Sequence, residues 1–223
     1  MTSDNLSKEG RMKTGTTTVC VKCKDGIVLA ADKRATAGHM IADKRAKKIH
    51  IVSDDMALTI AGMVSDAQLL TKLIRAEIKL KSLRVDRSTT VKEAANILAG
   101  MNYNNIRTPS MVPGIVGFLF AGHDEEKGFT AYNIGIDGSI SEIVDYESDG
   151  SGSPFALGAL ENLYKKDLSI KEGVEIATRA ISTALQRDSA SGNGLNVVTI
   201  TKEGAKLILE KDIETKLWFD RVF

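Results

Sequence analysis

Residues 14–21 read Thr14-Gly15-Thr16-Thr17-Thr18-Val19-Cys20-Val21, and the junction inside them decides how the whole chain is read. Ahead of Gly15 the sequence is polar, nearly devoid of large apolar groups, and broken by a further glycine at Gly10. From Thr16 onward a β-branched run favours a pleated strand. An ordinary boundary between a frayed terminus and the first strand would look like this. So would a self-cleaving prosegment that frees Thr16 as a new N-terminus. Threonine is a weak nucleophile at its own pKa, but its own α-amine can serve as the adjacent base. An α-amine ordinarily titrates at about 7.7–8.0, and a nearby lysine cation lowers that further by like-charge repulsion.

Outward from this junction the chain reads as strands, two helices, strands, two helices, strands. Asp25-Gly26 has the form of a hairpin turn, followed by Ile27-Val28-Leu29-Ala30-Ala31, an apolar run expected of a strand buried on both faces. Extended pieces follow near Lys48–Val52 and Met56–Ala61. Ser65 with Gln68, Thr90 with Glu93, and Ser169 with Glu172 match the capping-box pattern of helix starts. Ser153-Pro154 supplies an N-cap and a first-turn proline for another helix. Leu69, Leu70, Leu73, Ile74 and Ile78 recur at helical spacing, as do Ile170, Val174, Ala177, Ile181 and Leu185. Between the helix pairs lie candidate strands at Val112–Ala121, Thr130–Ile136 and Ser139–Val144, the last two joined through Asp137-Gly138. After the fourth helix come Leu195–Thr201 and Ala205–Leu209, joined through Gly204. Two stacked sheets with helices outside satisfy this order. No repeat, linker or low-complexity tract divides it, so a single domain is expected.

Composition sets the class. The chain has 223 residues, with 30 Lys+Arg against 29 Asp+Glu and a net charge of +1. Near-neutrality argues against binding nucleic acid or an anionic membrane, both of which call for a basic excess. Two cysteines exclude a disulfide scaffold, and the apolar stretches are far too short to span a bilayer. No apolar h-region follows Met1, so a secretory signal is not expected. A globular protein of the cytoplasm is the expectation.

Several clusters invite functional readings, each with an ordinary one beside it. Cys20 and Cys23 form a lone C-x-x-C with no second ligand pair, and His39, His50 and His123 are scattered. Residues three apart on a strand face opposite sides, so two core thiols are expected and no metal site. Lys33, Arg34, Lys44, Arg45, Lys47 and Lys48 are interleaved with Asp32 and Asp43, which suggests a solvated hairpin. A lysine held beside a carboxylate in a cleft can nonetheless serve chemistry. Gly150-Ser151-Gly152-Ser153-Pro154 exposes amides at a helix start but lacks the Gly-Lys-Ser/Thr ending of a phosphate loop. Nothing local explains why Asp188, Ser189 and Ser191 gather after the last long helix.

Taken in order, six segments resemble 20S proteasome β subunits of the archaeal type, in the N-terminal nucleophile hydrolase superfamily. They are Thr14-Gly15-Thr16-Thr17-Thr18-Val19, Ala31-Asp32-Lys33-Arg34, Lys47-Lys48-Ile49, Ile60-Ala61-Gly62, Gly150-Ser151-Gly152-Ser153-Pro154 and Arg187-Asp188-Ser189-Ala190-Ser191-Gly192. The resemblance implies an α+β fold, a four-layer αββα sandwich of two stacked, mainly antiparallel sheets with helices on both outer faces. It implies a propeptide, residues 1–15, removed by autocleavage between Gly15 and Thr16, leaving residues 16–223 as one N-terminal nucleophile domain. Thr16 would be the nucleophile, and Asp32 and Lys48 the buried acid and lysine. Gly62 would supply the oxyanion-hole amide, a donor whose loss typically costs about 3–4 kcal/mol of transition-state stabilisation. Ser151, Asp188 and Ser191 would orient the threonine amine and shuttle its proton.

Substrate would lie as a strand between Thr36 and the Gly62 loop. Ala35, Ala46, His50, Ile60 and Val64 would line the pocket for the residue before the cut, favouring hydrophobic side chains. Cys20 stands where the family usually has glycine, and His50 is an unusual polar lining. The resemblance implies a threonine endopeptidase with no cofactor and no metal. Its partners would be proteasome α-ring subunits, other β subunits in heptameric rings, an unfoldase ATPase and unfolded polypeptides. Two rivals compete: a non-catalytic or partner-dependent β subunit of the same assembly, and a small-molecule amidase on the same fold. The amidase is disfavoured because such enzymes commonly lead with Cys or Ser.

Overall fold

The computed structural model describes residues 15–213; residues 1–14 of the expected propeptide lie outside the described residues. Thr18–Cys23 (β1) and Gly26–Asp32 (β2) form an antiparallel hairpin with Cys23 opposite Gly26. Lys24 and Asp25 therefore make the turn, one residue earlier than the Asp-Gly signal suggests. Gly26 serves a different need. A Cβ there would stand 2.5 Å from the Ile200 carbonyl oxygen, so the glycine permits a close strand approach.

The first sheet has the order β10-β1-β2-β11-β12, with Tyr146–Asp149 as β10, Gly194–Thr201 as β11 and Gly204–Asp212 as β12. The second runs β5-β6-β7-β8-β9, formed by Ile49–Ser53, Met56–Gly62, Val116–Asp124, Gly128–Ile134 and Ile140–Glu142. All neighbours in both sheets are antiparallel. Ala35–Ala37 (β3) and Met40–Asp43 (β4) form a separate small hairpin.

Strand alternation sorts the apolar residues into layers. Cys20, Leu29 and Ala31 meet Ala57, Leu119 and Ala121 between the sheets. Val19, Val21, Val28 and Ala30 face outward instead, onto Ala156 and Leu160 of α3 (Ser153–Leu163) and Ala177 and Ile181 of α4 (Ile170–Arg187). On the opposite side Leu58, Phe118 and Phe120 pack on Ile74 of α1 (Val64–Val85) and Leu98 of α2 (Val91–Arg107). Helix, sheet, sheet, helix is the expected four-layer arrangement. Cys20 and Cys23 are free, buried and on opposite faces, the first between the sheets and the second against α4. Burial pushes the Cys23 thiol up to about 12 and Cys20 higher still, so both are packing groups.

The helix starts follow their sequence signals only in part. Thr90 with Glu93 and Ser169 with Glu172 form complete capping boxes. The Ser65–Gln68 pattern does not: α1 begins at Val64 behind Met63, and the Ser65 hydroxyl turns to Asp66. Ser153 is already helical behind Gly152, its hydroxyl donating to the Gly150 carbonyl at 2.6 Å. The strand expected from Val112 begins only at Val116. The one expected over Ser139–Val144 shrinks to Ile140–Glu142, joined to β8 by a turn closed through Gly135 and Ser139.

Packing of α4 on the first sheet sets a measurable scale. Ile181 is fully buried in that layer, and Ile181→Ala should destabilise the chain by about 2–5 kcal/mol. Arg179→Ala breaks only an exposed i,i+4 ion pair with Glu175 and should cost no more than about 0.5 kcal/mol. Urea denaturation followed by circular dichroism reads both.

Candidate active site

Thr16 stands just ahead of β1, at the end of the sandwich where β2 stops at Asp32, β6 at Gly62, β10 at Asp149 and α4 at Arg187. Six of the seven expected catalytic residues contribute to one hydrogen-bonded cluster there, with Gly62 on the wall of the same cleft.

Asp32 is its centre. The carboxylate is 1% exposed and accepts four hydrogen bonds: from the Thr17 amide (2.9 Å) and Lys48 Nζ (2.7 Å) on Oδ1, and from the Arg34 (3.0 Å) and Gly192 (2.9 Å) amides on Oδ2. In the sheet register it lies opposite Thr17, with its amide donating to the Thr17 carbonyl at 3.1 Å. Counting from an Asp25-Gly26 turn would place it opposite Val19, two residues along but on the same face. Either way Asp32 does not share a face with Thr16. It reaches the threonine through Lys48, whose Nζ lies 3.3 Å from the Gly15 carbonyl oxygen. Burial pushes the Lys48 pKa down, and the adjacent Asp32 carboxylate, by charge and hydrogen bond, opposes that without cancelling it.

Thr16 itself is 5% exposed. Its hydroxyl donates to the Gly15 carbonyl at 2.7 Å and its backbone N–H to Ser151 Oγ at 3.2 Å. Ser151 and Ser191 both donate to Asp188 Oδ2, at 2.7 and 2.6 Å. With its proton so committed, Ser191 Oγ accepts from the Thr17 hydroxyl at 2.7 Å. The cluster after α4 thus has its explanation in residues distant in sequence. On the other flank the Gly15 amide donates to Thr36 Oγ1 at 2.9 Å. A Cβ on Gly15 would stand 1.7 Å from Ala190 Cβ, so only glycine fits beside that loop. Gly62 is held at φ +122°, where a Cβ would meet the Ile115 carbonyl oxygen at 2.2 Å.

The cleft measures about 820 Å³ and is lined by Gly15, Gly62, Ser151 and Asp188 together with an apolar wall of Met111, Val112, Ile115 and Ile136. Among the seven residues expected to bind substrate, Gly62 alone is in that lining. Thr36 is buried against Gly15, and Ala35 lies beside it on β3. Ala46 is tied by its amide to the Lys33 carbonyl, and the Ile60 side chain packs into the layer under α1 and α2. His50 Nε2 lies 3.1 Å from the Lys47 carbonyl oxygen, and burial, aided by Lys47, lowers its pKa. Val64 opens α1 and is 44% exposed.

The reading of residues 33–48 as a solvated hairpin holds for Lys44, Arg45 and Lys47 but fails for Lys33 and Lys48, both buried. Lys33 Nζ meets Glu210 at 2.8 Å and Asp212 at 2.5 Å on β12. Burial opposes its charge, but the two carboxylates outweigh that and raise its pKa. Arg34 bonds Asn193 Oδ1 and the Ser189 carbonyl, both at 2.8 Å, fixing the loop that carries Asp188 and Ser191. Sequence reasoning misses these supporting roles. Their signal is Asp32-Lys33-Arg34 itself, three charges set directly after an apolar strand.

A family model described as "Proteasome subunit" matches residues 12–200. Among curated proteins, the "Proteasome subunit beta" of Archaeoglobus profundus is 44% identical over 200 residues, 90% of this chain and 91% of the relative. The protein of the same name from Ferroglobus placidus is 44% identical over 203 residues, covering 91% and 94%. That of Methanococcus aeolicus is 40% identical over 214 residues, 96% of each chain.

The buried pair makes a prediction with a definite sign. Asp32 holds the Lys48 pKa up against burial, so Asp32→Asn should move the Lys48 titration to lower pH, followed by NMR of the lysine Cε–H resonance. An upward shift, or none, would contradict the pairing. The same change leaves a buried ammonium without its countercharge and should destabilise the fold by roughly 3–5 kcal/mol.

Proposed function

The chain belongs to the proteasome subunit family, and on that premise we propose that it is a threonine endopeptidase subunit of a 20S core particle, made as a precursor and activated by cleavage between Gly15 and Thr16. The observation that carries this reading is the pair of hydrogen bonds on one oxygen: the Gly15 carbonyl accepts from Thr16 Oγ1 at 2.7 Å and from Lys48 Nζ at 3.3 Å. The attacking hydroxyl and a cation for the developing oxyanion already flank the bond to be cut.

In processing, Thr16 Oγ adds to the Gly15 carbonyl carbon while the Lys48 ammonium steadies the oxyanion. Collapse breaks the Gly15–Thr16 C–N bond, the hydroxyl proton ends on the released Thr16 nitrogen, and an ester remains. Water hydrolyses the ester and frees the propeptide's carboxylate. Glycine at position 15 suits the step because Ala190 leaves no space for a side chain.

The freed α-amine then does what the amide nitrogen could not. It takes the Oγ proton as Thr16 attacks a substrate carbonyl, then returns it to the leaving amine, and water releases the acyl group. Lys48 keeps the amine's pKa low by like charge, and Ser151, anchored on Asp188, orients it. Thr16's β-methyl restricts χ1 and helps hold Oγ in the attacking geometry. Gly62 supplies the oxyanion amide. The substrate lies extended between Thr36 and the Gly62 loop, with Ala35, Ala46, His50, Ile60 and Val64 favouring a hydrophobic residue before the cut. α-Ring subunits, sister β subunits in heptameric rings and an unfoldase ATPase complete a cytoplasmic machine for unfolded chains, with no cofactor.

Intact mass spectrometry of assembled particles should find a chain beginning at Thr16. Thr16→Ala should remain full length and lose at least about a thousandfold in peptide hydrolysis. Particles that hydrolyse peptides while every copy keeps Gly15 would refute the mechanism, and processing only in the presence of a second β chain would favour the partner-dependent reading. Gly15→Val should stop processing while Thr16 stays intact, because the side chain would collide with Ala190.

A further inference from the structure

The mechanism leaves one acid of the cleft without a role. Asp149 ends β10 opposite Thr18, so its side chain shares the Thr18 face that looks toward the second sheet. There it abuts β7: a Cβ on Gly117 would lie 2.3 Å from Asp149 Oδ2. Oδ1 accepts from the Gly150 amide at 2.7 Å. Gly150 in turn is pressed against the nucleophile, since a Cβ there would be 3.2 Å from Thr16 Cβ. The carboxyl group therefore lines the cleft about two residues, roughly 7 Å, beyond Thr16 along the strand.

Its surroundings lack a countercharge. Asp32 and Asp188 are each satisfied by several donors, but among the described residues no cationic nitrogen pairs with Asp149. Burial raises its pKa; the Gly150 amide opposes this, and Glu147 adds to it. The neighbouring wall is aliphatic, with Met111, Val112, Ile115 and Ile136. A carboxyl group short of a cation, beside a wall suited to methylenes, is complementary to a long side chain that ends in positive charge.

We propose that Asp149 is a specificity-determining residue, taking the ammonium or guanidinium of a lysine or arginine on the leaving-group side of the scissile bond. This rests on the reading of Thr16 as nucleophile. With the acyl half held along Thr36 and the Gly62 loop, the half left to cross the Gly150–Ser151 turn beside the Thr16 nitrogen, next to Asp149, is the leaving half. A charge-assisted hydrogen bond in this setting is worth roughly tenfold or more in rate.

The test uses processed, assembled particles and peptides that share one acyl half and carry lysine, acetyl-lysine or leucine at each of the first three positions after the cut. Lysine should be preferred over acetyl-lysine by roughly tenfold at one of these positions. Asp149→Asn, which keeps the acceptor for Gly150, should abolish that preference while leaving unchanged the turnover of a peptide whose leaving group is only a small fluorescent amine. Equal rates for lysine and acetyl-lysine in the unaltered particle would overturn the assignment, even if the variant fails to assemble. A uniform slowing of every substrate in Asp149→Asn would overturn it too, since that is the mark of a structural role. Failure of the underlying reading looks different: Thr16→Ala particles would keep the same hydrolysis and the same preference.

Discussion

Asp32 has lost nearly all contact with water, and a carboxylate in that position must find a protein donor for each of its lone pairs. Most of the site follows from how that demand is met. Its donors are the Arg34 amide two residues on, the Thr17 amide across the hairpin, the Gly192 amide brought in from the loop after α4, and the Lys48 ammonium. Satisfying one carboxylate therefore locks together the start of β1, the end of β2, the residue ahead of β5 and the end of the last long helix. Once Lys48 is tethered to Asp32 it has reach for one more acceptor, and the Gly15 carbonyl is the one it finds.

A second constraint is spatial. Glycines occur where backbones crowd around Thr16. Gly15 lies against Ala190, Gly150 against the Thr16 carbonyl oxygen at 2.2 Å from an added Cβ, and Gly152 against the Thr17 hydroxyl at 1.9 Å. These contacts let the β10–α3 turn approach the first strand closely enough for Ser151 to receive the Thr16 amide. The strand edges and the helix termini that converge here would otherwise leave polar backbone groups without partners. Ser151 Oγ takes the Thr16 amide and Asp188 Oδ1 the Ala190 amide, and both acceptors are held in place by the side-chain chain of Thr17, Ser191, Asp188 and Ser151.

Much of the fold is legible because its signals are local. The apolar run after Gly26 needs cover on both faces, and two capping boxes mark helix starts that side chains within three residues can satisfy. Where sequence and structure part, a distant partner decides the outcome. The Asp25-Gly26 turn moves by one residue because Gly26 is needed against the Ile200 carbonyl. Ser65 does not cap α1, since the chain entering from Gly62 is already pinned through Met63 to the Ile115 carbonyl. Lys33 reads as a solvated residue because nothing in its neighbourhood announces Glu210 and Asp212 on the last strand.

The site divides along the same line. By itself the sequence determined the layered α+β class and the chemical kinds of group available: a threonine behind a glycine, a carboxylate at a strand end, a lysine sixteen residues on. Residue type and short-range periodicity carry that information. It could not determine how Asp32 is linked to Thr16, because the link runs through a lysine side chain and the Gly15 carbonyl that only folding brings together. Only the tertiary structure decided that Lys48 joins Asp32 to the Gly15 carbonyl, that Asp188 is shared by two serines, and that Asp149 borders the cleft without a cation among the described residues. The physical reason is that hydrogen bonds and charge pairing depend on ångström-scale distances between groups that lie from sixteen to more than a hundred residues apart, and closing those distances is the work of the packed sheets.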